Sequence, residues 1–205
     1  MHEKKQWQQQ ENRLHAAALR RVMIVGSSGS GKSTLARSLG QTLALPVHHL
    51  DAHYWLPGWA ARPHEAFRAR QEVLVSAERW VIDGNYRSTM DIRLPRADSV
   101  ILIDVSRLLA VWRIIRRRWT YRGRTRPDLP PNCPEQVDWA FVKWTWSFPG
   151  EKRADIVRRV GEWEHLRLIV LPGRRGVRRF QQLLAARGAA ADLTPFLPAH
   201  RRGER

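Results

Sequence analysis

Residues Arg21 to Thr34 read RVMIVGSSGSGKST, and Gly26 to Ser33 complete the pattern G-x-x-x-x-G-K-[ST] without a substitution. This spacing does phosphate chemistry. Glycines let the backbone N–H groups of Gly26, Ser27, Ser28, Gly29, Ser30 and Gly31 turn inward around an anion. Lys32 would neutralise the β- and γ-phosphates, the Ser33 hydroxyl would ligate Mg²⁺, and Thr34 follows in the opening turn of a helix. The pattern has mechanical meaning only between a strand and a helix. Val22 to Val25 form a short β-branched-rich apolar run, and Leu35, Ala36, Leu39 and Leu43 recur at helical spacing. The loop therefore stands in its required context, with a helix N-terminus behind the phosphates. The expectation is a nucleoside triphosphate site.

Three further groups carry chemistry. Asp83 closes the apolar run WVID, the position of a carboxylate that holds Mg²⁺ through water, and Gly84-Asn85-Tyr86-Arg87 follow it. Asp104 also ends an apolar run and is the rival metal residue. Asp51 follows LPVHHL and should sit beside the phosphate loop at the carboxyl edge of the sheet. A hydroxyl acceptor must lose its proton as a phosphoryl group arrives, so a carboxylate there suits a nucleoside or other polyol. His53, Tyr54, Trp55 and Trp59 supply faces on which a base could stack. The last group is basic. Arg113 and Arg117 share a helix face, and Arg122, Arg124 and Arg126 lie on a loop with four prolines, placed to close over the γ-phosphate.

The elements that must position these residues alternate along the 205-residue chain. Strands are expected at Val22–Val25, Leu45–Leu50, Trp80–Ile82, Val100–Val105 and Leu166–Leu171. Helices are expected near Lys32–Leu43, Pro63–Glu78, Arg107–Trp119, Glu135–Trp146, Glu151–Trp163 and Val177–Arg187. Alternation of this kind indicates an α/β protein with a five-stranded parallel sheet flanked by helices, and ligand at the carboxyl ends of the strands. The reading divides the chain into a polar N-terminal extension (1–20), a P-loop domain (21–187) with an Arg-rich lid at about 117–134, and a loose tail (188–205). No 18-residue apolar run predicts a membrane span. MHEKKQWQQQENR lacks the apolar stretch of a secretory signal, and Cys133 is a lone cysteine, so the expected compartment is the cytoplasm.

GSSGSGKSTLARSL, HLDAHYWLPGW, WVIDGNYR, RADSVILIDVSR, RRRWTYRGRTRPDLPPNCPE and LPGRRGVRRF together resemble the adenylate-kinase-related P-loop proteins of the DNA topology modulation (FlaR-like) group, over roughly residues 21 to 185. The resemblance implies a five-stranded sheet with a mobile lid, ATP and Mg²⁺. It implies that Asp83 serves the metal and that Arg87 meets the acceptor or the transferred phosphate. Asn85 and Tyr86 depart from the DGFPR-like sequence of adenylate kinases. RIIRRR is similar to the start of the adenylate-kinase lid, which implies that Arg113 and Arg117 clamp phosphates. The loop Gly173-Arg174-Arg175 falls where related kinases touch adenine.

Thirty-six Lys and Arg against 19 Asp and Glu give a net charge of +17. Such a field draws polyanions, so non-specific DNA contact is expected, and an anionic membrane surface could also be attracted. Two functions remain. One is an ATP-dependent kinase using Lys32, Asp51, Arg87, Arg117, Arg124 and Arg126 on an acceptor bound by Asp51, His53, Tyr54, Trp55, Asn85 and Arg87. The other is an ATP-binding regulator that contacts DNA. No zinc-finger or helix-turn-helix signature supplies a base-reading element, which favours the kinase.

Overall fold

The apolar run before Gly26 becomes the central strand of a parallel sheet because helices cover both its faces. The computed structural model describes residues 19–136, 138–188 and 191–198. In chain order they form β1 (Arg21–Gly26), α1 (Lys32–Leu43), β2 (Val47–His49), α2 (Leu50–Tyr54), β3 (Trp55–Leu56), β4 (Ala60–Ala61), α3 (His64–Val75), β5 (Trp80–Asp83), α4 (Met90–Arg93) and β6 (Ser99–Asp104). Then come α5 (Arg107–Thr120), α6 (Trp139–Ser147), α7 (Arg153–Gly161), β7 (Arg167–Pro172) and α8 (Gly173–Arg187). The strand order is β2-β5-β1-β6-β7, all parallel, with β3 and β4 as a separate antiparallel hairpin. Successive residues of a strand point to opposite faces. Val22 and Ile24 accordingly join Leu35, Leu39 and Phe180 in one core layer, while Met23 and Val25 join Phe67, Leu102 and Ile156 in the other.

This order places β1 between β5 and β6, so the loop after Gly26 emerges at the middle of the carboxyl edge, flanked by Asp83. Two helix starts are fixed by side-chain caps. Ser106 accepts from the Leu109 amide at 3.4 Å, and Asp138 from the Phe141 amide at 2.7 Å, each satisfying a donor that the helix cannot. Between α6 and α7 the chain makes a π turn over Phe148–Lys152, kinked at Gly150.

Several boundaries differ from the sequence expectations. The second strand is only Val47–His49, and the chain then coils into α2, so Asp51 stands on a helical turn rather than at a strand end. Glu135 precedes its helix instead of starting it. The last helix begins at Gly173, which puts Gly173, Arg174 and Arg175 in its first turn. The segment read as a loose tail is packed over residues 191–198. Phe196 is buried edge-on against Phe180, with ring centroids 5.4 Å apart, and Ala191, Leu193 and Leu197 are buried beside it. Apolar residues interspersed with alanine and proline found a core to enter. Leu19 is likewise buried, so the domain starts before residue 21; the rest of the polar extension, residues 1–18, lies outside the described residues, as do 189–190 and 199–205 of the tail. No helix of the described residues is long and apolar enough to cross a membrane.

Candidate active site

The phosphate loop is held open by backbone geometry that only glycine tolerates. Gly29 has φ +72°, and a Cβ there would come within 2.7 Å of the Ala110 carbonyl oxygen. The loop thus lies tightly under α5, and Arg113 donates to the Gly29 and Ser30 carbonyls at 3.2 Å each. Lys32 Nζ donates to the Gly26 and Ser27 carbonyls at 3.1 and 2.9 Å, which curls its ammonium back over the loop. Burial lowers the Lys32 pKa, opposed by the charges of Asp83 and Asp51. The hydroxyls of Ser27 and Ser30 are buried and make no hydrogen bond.

Behind the loop, Asn85 pairs with the backbone of Gly26 in both directions. The Gly26 amide donates to Asn85 Oδ1 at 3.0 Å and Asn85 Nδ2 donates to the Gly26 carbonyl at 2.9 Å. Asn85 therefore joins the phosphate loop to the segment after β5, and the Gly26 amide is not available to a phosphate. That segment is fixed in turn by Arg93, which is fully buried. Its guanidinium donates to the carbonyls of Gly84, Asn85 and Tyr86 at 2.9, 2.9 and 3.0 Å, and burial lowers its pKa to about 9. Its partners are backbone carbonyls rather than side chains, so no residue pattern in the sequence points to it.

Removing Arg93 would leave three carbonyls short of a charged donor. Arg93→Met is expected to cost about 2–4 kcal/mol of unfolding free energy in urea denaturation, since hydrogen bonds to a charged group are worth about 1.5–3 kcal/mol each and part of the burial cost is recovered. A change smaller than about 0.5 kcal/mol, the level of an ordinary surface substitution, would show that these carbonyls find other donors.

On α2, Asp51 faces the phosphate loop and Trp55 lies four residues on, on the same side of the turn. Asp51 Oδ1 accepts from the Tyr86 hydroxyl at 2.8 Å. Burial, then the Asp51 charge, raise the Tyr86 pKa strongly, so the phenol stays a donor. The same helical turn carries His53 and Tyr54 away from the loop. His53 Nδ1 receives a hydrogen bond from Arg70 Nε at 3.1 Å; burial and the neighbouring cations push its pKa down to about 4. Tyr54 packs on Phe67 and Tyr86 with centroids 5.1 and 5.0 Å apart. A strand would have alternated these side chains; a helix turn groups 51 with 55 instead.

Asp83 is buried, and its Oδ2 lies 3.0 Å from His49 Nδ1. Burial lowers the His49 pKa, but the Asp83 hydrogen bond and charge outweigh it and the net direction is upward. Asp104, the rival metal residue, is instead ion-paired with Arg153 at 2.9 Å.

The Arg-rich loop folds across the cleft and docks on the β3–β4 hairpin. The Gly58 amide donates to the Asn132 carbonyl and Trp59 Nε1 to the Pro134 carbonyl, both at 3.0 Å, while the buried thiol of Cys133 reaches the Leu56 carbonyl at 3.4 Å. Arg126 lies 2.7 Å from Glu135 Oε2, 3.1 Å from Asp128 and 3.8 Å from Asp51. Arg117 meets the other Glu135 oxygen at 2.7 Å, and Arg118 donates to the Glu135 backbone carbonyl. Burial, then the Arg126 charge, lower the Arg117 pKa. Burial raises the Asp128 pKa, but Arg126, its backbone amide and the Ser33 hydroxyl bring it net below the usual carboxylate range. Arg122 and Arg124 are exposed and do not line the cleft, because the turn that aims Arg126 inward aims them out.

These parts enclose one cleft of about 1240 Å³. Ser28 to Thr34, Arg113, Arg117 and Arg174 line it; Gly173 and Arg175 do not. Asp51, Asp83, Asn85 and Arg126 line it as well, together with Trp55, Trp59, Tyr86, Arg87, Phe141, Trp144, Phe148 and Lys152. Arg87 is ion-paired with Asp155 at 3.1 Å. Lys152 sits 4.7 Å from the centroid of the Trp144 ring, and burial, then the Arg87 charge, lower its pKa.

No protein-family model and no curated protein sequence matches the chain. Among solved structures, it is similar to the shikimate kinase of Acinetobacter baumannii in complex with shikimate, at 18% identity and a TM-score of 0.51, covering 84% of this chain and 93% of that one. A gluconokinase from Sinorhizobium meliloti aligns at 16% identity and a TM-score of 0.47 over 82% of this chain and 97% of that one. With its five-stranded parallel sheet, its flanking helices and its glycine-rich loop after the central strand, the chain has the P-loop kinase fold.

Proposed function

We propose that this protein transfers the γ-phosphoryl group of ATP to a hydroxyl of a small acceptor. The observation that carries the reading is the set of groups that line one cleft: a phosphate loop, the Asp51 carboxylate, and aromatic and basic side chains. The buried, unpartnered Ser30 hydroxyl and the Lys32 ammonium suit an anion with several oxygens. Ser33 and Asp83 offer hydroxyl and carboxylate oxygens, the donor chemistry of a hard cation, and would hold Mg²⁺. That ion, when bound, neutralises charge on the phosphate oxygens.

In this reading the acceptor hydroxyl gives its proton to Asp51 as its oxygen attacks the γ-phosphorus. A new O–P bond forms, the bond to the bridging β–γ oxygen breaks, and ADP leaves with the electron pair. The Tyr86 hydroxyl keeps Asp51 oriented, and Lys32, Arg117 and Arg126 stand where negative charge builds. Trp55, Trp59, Phe141 and Trp144 suit a flat or apolar acceptor body, and Arg87 with Lys152 suit an anionic substituent on it.

Purified protein incubated with ATP and Mg²⁺ against nucleosides, nucleotides, sugars and hydroxylated ring acids is expected to give a phosphorylated product, with anionic ring-bearing acceptors best. ADP release without a phosphorylated acceptor anywhere in that set would replace the kinase with a hydrolase.

A further inference from the structure

One face of α5 has no place in the cleft. Leu108, Trp112, Ile115 and Trp119 are 72%, 54%, 45% and 74% exposed, and their spacing of four, three and four residues aligns them in one stripe. The stripe is about 16 Å long at 1.5 Å per residue. The opposite face of the same helix buries Ala110 and Ile114 and points Arg113 and Arg117 at the cleft. Trp146 of α6, half exposed, adds to the apolar surface near the start of α5, with the Arg107 guanidinium 6.0 Å from its ring centroid.

The rim of the stripe is basic on both sides. Successive helical residues advance by about 100°, which sets Arg116 to one side of the stripe and Arg107 and Arg118 to the other. Arg116 lies over the Trp112 ring, 5.4 Å from its centroid.

We propose that this face of α5 docks on an anionic lipid bilayer, along which the helix lies without crossing it. Tryptophan and aliphatic side chains would enter the boundary between headgroups and acyl chains, with the indole N–H left near water. The arginine rim would meet lipid phosphates, and the +17 charge of the chain would draw the protein to a negative surface. A second copy of the chain would press arginine rim against arginine rim. A nucleic acid would take the arginines but leave four large apolar side chains without a partner. A bilayer satisfies both chemistries together.

The test is co-sedimentation of the full-length protein with phosphatidylcholine vesicles and with vesicles one-third phosphatidylglycerol. Retention on the anionic vesicles is expected, with at least about tenfold weaker retention on neutral ones, because apolar insertion alone is marginal without the charge contribution. Trp112→Glu/Trp119→Glu should lose at least about tenfold of the anionic binding, given the apolar area withdrawn, while its ATP affinity stays unchanged. If that variant fails to fold by circular dichroism, Leu108→Gln/Ile115→Gln serves instead. Failure of the wild type to bind anionic vesicles overturns the proposal, whatever else covers the helix. So does equal retention of wild type and variant, which would mean diffuse charge attraction. A wild-type dimer that the variant dissociates, with no vesicle binding, would assign the face to a second copy.

Discussion

Lys32→Ala is expected to weaken ATP binding by about 100- to 1000-fold, measured by calorimetry with the folded variant. The ammonium makes two hydrogen bonds to its own loop, at 3.1 and 2.9 Å, and these are exchanged for phosphate oxygens on binding. Charge-assisted bonds to phosphate are worth about 1.5–3 kcal/mol each, so two of them amount to about two to four decades of affinity, and the loop bonds given up in exchange bring the loss to the lower part of that range. The fold should survive. The Gly26 carbonyl keeps its bond from Asn85 Nδ2, and the tight contact of Gly29 with Ala110 does not involve the lysine. An unchanged dissociation constant for ATP would remove the phosphate-loop reading itself, because no other side chain of the loop carries a positive charge.

How much of this was legible in the sequence follows from where each residue finds its partners. The phosphate loop, β1 and α1 were legible because motif, apolar run and helical spacing are all local. The sheet was legible for the same reason: strands covered on both faces must be apolar nearly throughout. The hairpin of β3 and β4 was not, because two-residue strands have no period to read. Glu135 was read as helical because its neighbours are, yet its carboxylate is nearly fully buried between Arg117 and Arg126. A buried arginine requires a partner, so a loop with three arginines and only Asp128 and Glu135 nearby contained the signal. Arg93 and Asn85 bond to backbone groups, which no side-chain pattern announces. His53 and Tyr54 closely follow Asp51, which points to the acceptor, but one helical turn carries them out of the cleft.

Asp51→Asn is the substitution that divides the kinase from the DNA-contacting regulator. The amide oxygen of asparagine can still accept from the Tyr86 hydroxyl, so the turn and its 2.8 Å contact have no reason to change. The capacity to take a proton is removed, together with a charge that stands 3.8 Å from Arg126. General-base contributions are typically about 10²–10⁴-fold, and the turnover of acceptor phosphorylation is expected to fall by about that factor, while ATP affinity stays within about twofold, well under one decade. With a net charge of +17, DNA binding at low salt is expected for wild type and variant alike. It should drop by about a thousandfold between 50 and 200 mM salt if about six phosphates are neutralised. Phosphorylation in a confined cleft, where the reacting charges are screened little by added ions, should persist over that range. A variant that phosphorylates as fast as the wild type would take the base role from Asp51. Tight, salt-resistant, sequence-selective DNA binding with no phosphorylated product from any acceptor would instead overturn the kinase proposal, and the cleft would then serve ATP as a regulatory ligand.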